Sequence, residues 1–352
     1  MAKPVLSGLP PEELTALLSP LPPFRAKQIY RWIARGCMSF GEMTDLPRTL
    51  REDLDSRFSL YSTGVSARQE DPDGTVKLRF TLGDGAKVEG VLLSDGDGRR
   101  TACISSQAGC AMGCVFCKTG SLGFLRNLNS AEIVEQFLHL RREAAGPDRE
   151  GPELANVVFM GMGEPLLNLP ELRRALGIIT DPGGLGLSKR RITLSTAGII
   201  RGIRDLADNG PEVRLAVSLT AADEALRRAL MPVTAANPLP RLKEALASYQ
   251  EKAGRRITLE AVLLGGINTR PRDAAALADF ARGLDVAVNL IPWNPAEGLS
   301  FEGRPLREPA PAEAEAFSRE LARRGLTVTR RLRKGLKISG ACGQLGELSV
   351  DP

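Results

Sequence analysis

Histidine is almost missing from this chain: there is one, His139, in 352 residues. Catalytic triads, cysteine–histidine dyads and multi-histidine metal sites need a supply of imidazole that one residue rarely provides. His139 falls in an amphipathic stretch, Ala131 to Glu143, beside Ile133, Val134, Phe137 and Leu138, and is expected on the surface or boundary of that helix. Long apolar runs are missing too. Nothing approaches the ~20 residues of a membrane span, and the N-terminus lacks a charged-then-apolar leader pattern, so a cytoplasmic protein without membrane contact is expected. With 43% hydrophobic and 25% charged residues, the chain has the composition of an ordinary globular protein. Its length suits roughly two domains and needs no disulfide or metal merely to fold.

The formal net charge of +5 is mild but unevenly spread. Between Arg323 and Lys337, seven of fifteen residues are basic and none is acidic. Arg25, Lys27, Arg31 and Arg35 recur at near-helical spacing, and Lys189, Arg190 and Arg191 form a third group. Such clusters suit a polyanion or are simply solvated faces, and charge alone does not separate the two.

Three short helices, Pro10 to Leu18, Phe24 to Arg35 and Pro47 to Phe58, precede a hairpin-like segment from Gly74 to Leu93. From Thr101 the pattern changes. Short β-rich runs at Thr101–Ser105, Val157–Met160, Arg191–Thr196, Arg214–Leu219, Ile257–Leu264 and Val286–Ile291 alternate with helical stretches such as Pro170–Ile179, Pro238–Lys252 and Arg272–Leu284. Six tandem units predict a parallel α/β sheet, either an incomplete barrel or a doubly wound sheet, with function at the carboxyl ends of the strands. A last helix, Pro311–Arg324, and a strand, Val328–Arg331, lead to a glycine-rich tail. The division expected is 1–95, a helical and hairpin accessory domain; 96–310, the parallel α/β sheet; and 311–352, a C-terminal helix, strand and tail carrying Cys342. No internal repeat is evident.

Six cysteines carry the chemistry. Cys110, Cys114 and Cys117 lie in CAMGCVFC, with Cys103 just before them, Cys342 near the C-terminus and Cys37 isolated. Three thiolates on one loop leave one iron of a cubane cluster without a protein ligand, which is useful only if something else binds there. The alternative is a zinc site closed by Cys103 or Cys342. The C-x3-C-x2-C spacing, the aromatic Phe116 and the loop after a first strand resemble the radical S-adenosylmethionine (SAM) superfamily, in which SAM chelates the open iron. GMGEP at Gly161–Pro165 then resembles the element that grips the SAM amino group. Ser195, Ser218 and Asn294 occupy equivalent strand ends, where short polar side chains converge in such a barrel.

Whole phrases extend the likeness. SSQAGCAMGCVFCKTG, RNLNSAEIVEQ, NVVFMGMGEPLLN, RRITLSTAGI, DEALRRALMPV, NLIPWNP and ACGQL, with FRAKQIYRWIARG, MTDLP and DGTVKLRF before them, resemble the RlmN/Cfr radical SAM adenine methyltransferases over nearly the whole chain. The resemblance implies an incomplete (βα)6 TIM-like barrel of radical SAM type with a small N-terminal helical/β accessory domain. It implies one 4Fe-4S cluster on Cys110, Cys114 and Cys117, two SAM per turnover, and SAM contacts from Gly163, Glu164, Ser195, Ser218, Leu219, Thr220 and Asn294. Methylation of adenine carbon 2 in 23S rRNA, and of tRNA beside the anticodon, is the implied reaction; carbon 8 is the Cfr-type alternative. Carbon 2 is an electron-poor amidine carbon, so it does not attack a SAM methyl group and needs a radical route. By resemblance, Cys342 carries the methyl group as S-methylcysteine, Cys103 later forms a transient disulfide with Cys342, and Glu89 accepts a proton. An external electron donor and a monomeric enzyme are expected.

Three positions depart from the family pattern: Thr220 stands where it has His, Lys337 where it has Asp, and Ala261 where it has Tyr. They leave SAM contacts and adenine orientation open. The competing readings are a radical SAM enzyme with another substrate and a non-enzymatic metal-containing RNA-binding protein.

Overall fold

Proline sets the first helices. Pro11, Pro23 and Pro47 stand at or just before the start of α1 (Pro11–Leu17), α2 (Pro23–Ala34) and α3 (Arg48–Arg57), where a missing N–H costs nothing. Leu14, Ile29, Ile33 and Leu54 point into one core, while Lys27, Arg31 and Arg35 stay exposed on the other face of α2. The computed structural model describes residues 3–146 and 154–346.

A meander of β1 (Gly64–Glu70), β2 (Val76–Thr81) and β3 (Lys87–Ser94) follows. β3 pairs antiparallel with β4 (Arg100–Cys103), which joins the meander to the main sheet. A ribbon, β5 (Gln107–Gly109) and β6 (Phe124–Asn127), encloses the cysteine loop and the one-turn helix α4 (Lys118–Ser121). Then helix and strand alternate: α5 (Ser130–Ala145), β7 (Leu154–Phe159), α6 (Leu169–Thr180), β8 (Ile192–Thr196), α7 (Ile200–Asn209) and β9 (Arg214–Ser218). After the short α8 (Glu224–Leu230) come α9 (Leu239–Ala253), β10 (Ile257–Leu263), α10 (Pro271–Ala281) and β11 (Val286–Pro292). A small hairpin of β12 (Ser300–Phe301) and β13 (Arg304–Pro305) precedes α11 (Pro311–Arg323) and β14 (Thr327–Arg330).

The strand order β1-β2-β3-β4-β7-β8-β9-β10-β11-β14 makes one ten-stranded sheet. Its six expected strands, β4 and β7 to β11, are adjacent, parallel and in chain order, the arrangement of an open (βα) barrel. β14 adds a seventh parallel strand at the free edge of β11. The sheet runs without a break past positions 95 and 310. Among the described residues no helix is long and apolar enough to cross a membrane.

The expectation for His139 is corrected. It is 8% exposed, not on the surface, because the β1–β3 meander covers the face of α5 that a lone helix would present to water. Its ring lies 5.2 Å from that of Tyr61 and 5.6 Å from that of Phe80, and burial pulls its pKa down to about 4.

Candidate active site

The cysteine loop hangs on backbone hydrogen bonds from separate elements. Cys110 N–H donates to the Gly123 carbonyl at 2.7 Å, Val115 N–H to Leu230 at 3.1 Å, and the Trp293 indole to the Phe116 carbonyl at 3.0 Å. Phe116, Leu230, Met231, Leu264 and Trp293 form a small apolar cluster of their own around it, apart from the main core. Dry surroundings penalise thiolates: burial pushes Cys110 up to about 12 and raises Cys114 and Cys117, and each sulfur feels at least one other. Three thiols lining one space in an apolar shell suit, by their chemistry, a cationic iron core, which would relieve that penalty. Among the described residues no three His, Cys, Asp or Glu side chains are arranged around a single metal ion.

All three sulfurs line a cavity of ≈ 150 Å³ at the carboxyl ends of the strands, with Gly161, Gly163, Glu164, Ser195, Ser218 and Asn294. Gly163 adopts φ +98°, and a Cβ there would stand 2.4 Å from the Gln107 Cβ, so only glycine lets this turn pass. The Glu164 carboxylate is pinned by the N–H groups of Leu166 (3.0 Å) and Ala197 (2.6 Å). Burial nonetheless pushes its pKa up to about 7, and an ammonium group beside it would restore the charge. Ser195 donates to Glu260 at 3.0 Å. The Asn294 amide donates to the Cys342 carbonyl at 2.9 Å, while its buried Oδ1 has no partner. An unpartnered acceptor and a depolarised carboxylate on one wall fit a ligand bearing donors and a positive charge.

Leu219 and Thr220 do not join them. Leu219 is fully buried in the main core, and Thr220 (φ +58°) turns its hydroxyl into a buried spot without a partner, away from either cavity. Ala261 also points into the core, and Lys337 is exposed with its N–H on Asp71 at 2.8 Å. None of the three departures lines the site.

A second, wider chamber of ≈ 580 Å³ reaches from Asn294 and Cys342 down to Arg191, Arg214 and Thr258 at the amino ends of the strands. Cys342 lines both spaces, and Cys103 lines the wide one. The segment bearing Cys342 is not free to swing, as its flanking glycines suggest, but is tied down as far as Gly346. Lys118 N–H donates to Gly343 at 2.7 Å, Gln344 to Pro295 at 2.6 Å and Thr119 to Leu345 at 2.7 Å. Gly346 N–H donates to Glu89 at 2.7 Å. Glu89 is 2% exposed, paired with Lys77 at 3.3 Å and near Arg79 at 3.7 Å. It therefore lies beneath the tail and lines neither cavity.

Sequence reasoning passed over three residues. Arg331 belongs to the basic run that suggested a solvated surface, yet its Nη1 meets Met160 Sδ at 3.3 Å inside the chamber. The Cys342 sulfur, then Glu260 and Cys103, hold it protonated against burial. Cys103, raised by burial and by Cys342, is eased back by Arg331 and by the Met160 N–H. Glu260, 4% exposed, links Ser195 to Asn289 at 3.3 Å and faces both spaces. Arg227 is fully buried and ties Ala197 (2.7 Å), Leu219 (3.1 Å) and Ser218 (3.2 Å) together, fixing the ends of β8 and β9. Its place between two polar strand ends in DEALRRALMPV was the available signal. All six cysteines are free thiols.

The family model for the radical SAM superfamily matches residues 104–278, and that for the ribosomal RNA large subunit methyltransferase N-terminal domain matches residues 6–60. A probable dual-specificity RNA methyltransferase RlmN from Treponema denticola is 51% identical over 99% of this chain and 97% of its own length. The dual-specificity RNA methyltransferase RlmN of Anaeromyxobacter dehalogenans is 44% identical, covering 97% and 91%. The crystal structure of a radical SAM methyltransferase from Sphaerobacter thermophilus superposes with a TM-score of 0.91 at 38% identity, covering 97% of this chain and 99% of that one.

Proposed function

The chain belongs to the RlmN family of radical SAM RNA methyltransferases, and from that premise we propose that it methylates adenine carbon 2 in 23S rRNA, and tRNA beside the anticodon, through Cys342. The observation that carries this reading is the position of Cys342 where the small thiol-lined cavity meets the wide polar chamber. Cys342 lines both the space assigned here to SAM and the space assigned to the base.

Cys110, Cys114 and Cys117 would hold a 4Fe-4S cluster, and Glu164 and Asn294 the amino-acid end of SAM; when bound, the cluster supplies the electron for reductive SAM cleavage. Everything else falls to side chains. Cys342 takes a methyl group onto Sγ from one SAM, leaving S-adenosylhomocysteine. That methyl carbon would give a hydrogen atom to the 5′-deoxyadenosyl fragment of a second SAM and bond to the adenine carbon, the adduct then giving up one electron to an external acceptor and the ring proton to Glu89. Cys103 then attacks Cys342 Sγ as a thiolate, and the S–C bond breaks with its electron pair on the RNA methylene, which takes up a proton from solvent to become the methyl group. The Cys103–Cys342 disulfide is reduced by an external thiol. Arg331 faces Cys103 and favours its thiolate form. Glu89 accepts a proton only after Gly346 releases it, because its carboxylate is now spent on the tail.

Anaerobic incubation of the reconstituted protein with SAM, reductant and protein-free 23S rRNA, followed by nucleoside mass spectrometry, tests this. 2-Methyladenosine is expected, and Cys103→Ala is expected to accumulate a covalent RNA adduct. 5′-Deoxyadenosine without methyladenosine on rRNA or tRNA would overturn the substrate, and 8-methyladenosine the regiochemistry.

A further inference from the structure

The pentapeptide Arg-Arg-Ile-Thr-Leu occurs twice, at 190–194 and at 255–259, and each copy launches a barrel strand, β8 and β10. Between them β9 opens on Arg214. Parallel pairing sets Thr193 beside Arg214 and Ala216 beside Thr258, so Arg256 stands level with Arg214. Three neighbouring strands therefore start at an arginine or directly after one, at one rim of the barrel.

Arg190, Arg214, Arg255 and Arg256 line a groove of ≈ 680 Å³ that, among the described residues, contains no acidic side chain. Arg214 and Thr258 also line the wide chamber, as does Arg191, so groove and chamber adjoin at these residues. Among the described residues, the side chains of Arg190, Arg191, Arg214 and Arg255 make no hydrogen bond or ion pair; Arg256 reaches Asp285 at 3.4 Å. Elsewhere exposed arginines are commonly neutralised, as Arg68 by Glu143 (2.7 Å), Arg126 by Asp84 (2.6 Å) and Arg307 by Glu313 (2.8 Å). Guanidiniums crowded without acids repel one another and raise the local concentration of anions.

We propose that this amino-end rim grips the sugar–phosphate backbone of the RNA whose target base enters the chamber toward Cys342. The proposal rests on the RNA methyltransferase reading. Its own ground is geometric. Adjacent strands lie ~4.8 Å apart, so three strand starts spread arginine over ~10 Å, a row suited to successive phosphates rather than to one. Arginine forks bind phosphate oxygens without reading sequence, as two different RNAs would require. The groove adjoins the chamber lined by Cys342, so a strand held on the rim can deliver an extruded base.

The test is binding of the reconstituted holoenzyme to a 23S rRNA fragment and to a tRNA transcript, over ~50–200 mM salt. For Arg190→Gln/Arg191→Gln/Arg214→Gln/Arg255→Gln, affinity is expected to fall at least tenfold at the lowest salt. The slope of log K against log salt should shrink by about 3, at ~0.7–0.9 per lost phosphate contact. Arg272→Gln/Arg319→Gln, on the outer helices α10 and α11, should change neither. Should the quadruple variant not fold, Arg214→Glu alone is expected to weaken binding at least fivefold. Unchanged affinity and slope in a variant whose wild type binds RNA would overturn the rim. An equal loss in the outer-helix variant, or displacement of the RNA by stoichiometric inorganic triphosphate, would overturn it too. If the wild type binds neither RNA, the substrate reading falls together with it.

Discussion

Because the chain has one histidine, a sample labelled at histidine carbon ε1 gives one imidazole signal, and His139 can be titrated directly. Burial against Tyr61 and Phe80, helped by Arg142, pulls its pKa from 6.5 to about 4. The folded value lies below the unfolded one. Between the two, the unfolded chain binds the extra proton, so stability is complete above pH ~6.5 and is lost as the pH falls. The loss amounts to about 2 kcal/mol at pH 5 and about 3 kcal/mol at pH 4. His139→Phe keeps a ring between Tyr61 and Phe80, removes the unpartnered Nε2, and abolishes the proton. At pH 8 the two proteins are expected within about 1.5 kcal/mol of each other. By pH 5 the variant should gain about 2 kcal/mol on the wild type, about 3 °C in midpoint for a chain of this size. An imidazole signal titrating near 6.5, or a stability difference identical at pH 5 and pH 8, would refute the burial argument.

Glu164 should act in the opposite sense. Its folded pKa, raised to about 7, gives stability that is present below ~4.5 and lost as the pH rises through 7; Glu164→Gln, or saturating SAM, is expected to flatten that slope in thermal melts. Arg227→Met orphans the carbonyls of Ala197, Ser218 and Leu219, and a loss of about 3 kcal/mol is expected from denaturant unfolding, with SAM affinity falling in equilibrium dialysis. Arg331→Met removes the cation facing Cys103, so the covalent RNA adduct should build up at pH 7 and decline as the pH is raised to ~9, read on denaturing gels; the same adduct level at both pH values would refute the electrostatic role.

The six barrel strands are legible in the sequence because each is a short run rich in apolar residues and set between helical stretches, with buried side chains along one face or more. β1 is not, because Gly64–Glu70 is exposed along nearly its whole length and carries no alternation. Its place comes from pairing with β2, a partner that local pattern cannot name. The same limit misplaced His139. The stripe around it is real, but a second layer, the meander, covers the polar side of α5, and periodicity reports one helix at a time.

Cysteine spacing made the thiol loop readable, since ligands three and four residues apart are held by the chain itself. The residues that set its electrostatics are scattered: Glu164 follows β7, Glu260 lies in β10 and Arg331 follows β14. In sequence Arg331 is one basic residue of seven between Arg323 and Lys337, and composition assigns them all to solvent. Register decides otherwise. Pairing of β14 with β11 ends at Arg330 with Leu290, and the Arg331 N–H then donates back to the Leu290 carbonyl, so the chain closes against the barrel at that point. Arg330 stays exposed beside Glu315, whereas Arg331 enters the chamber. Two adjacent arginines thus meet opposite fates because successive side chains on a strand point to opposite faces. Of the duplicated Arg-Arg pairs, the one before β8 divides in the same way, Arg191 lining the chamber and Arg190 the groove, whereas Arg255 and Arg256 both line the groove. Charge in this protein acquires meaning from strand register, which is why basic runs alone left polyanion binding and solvation undecided.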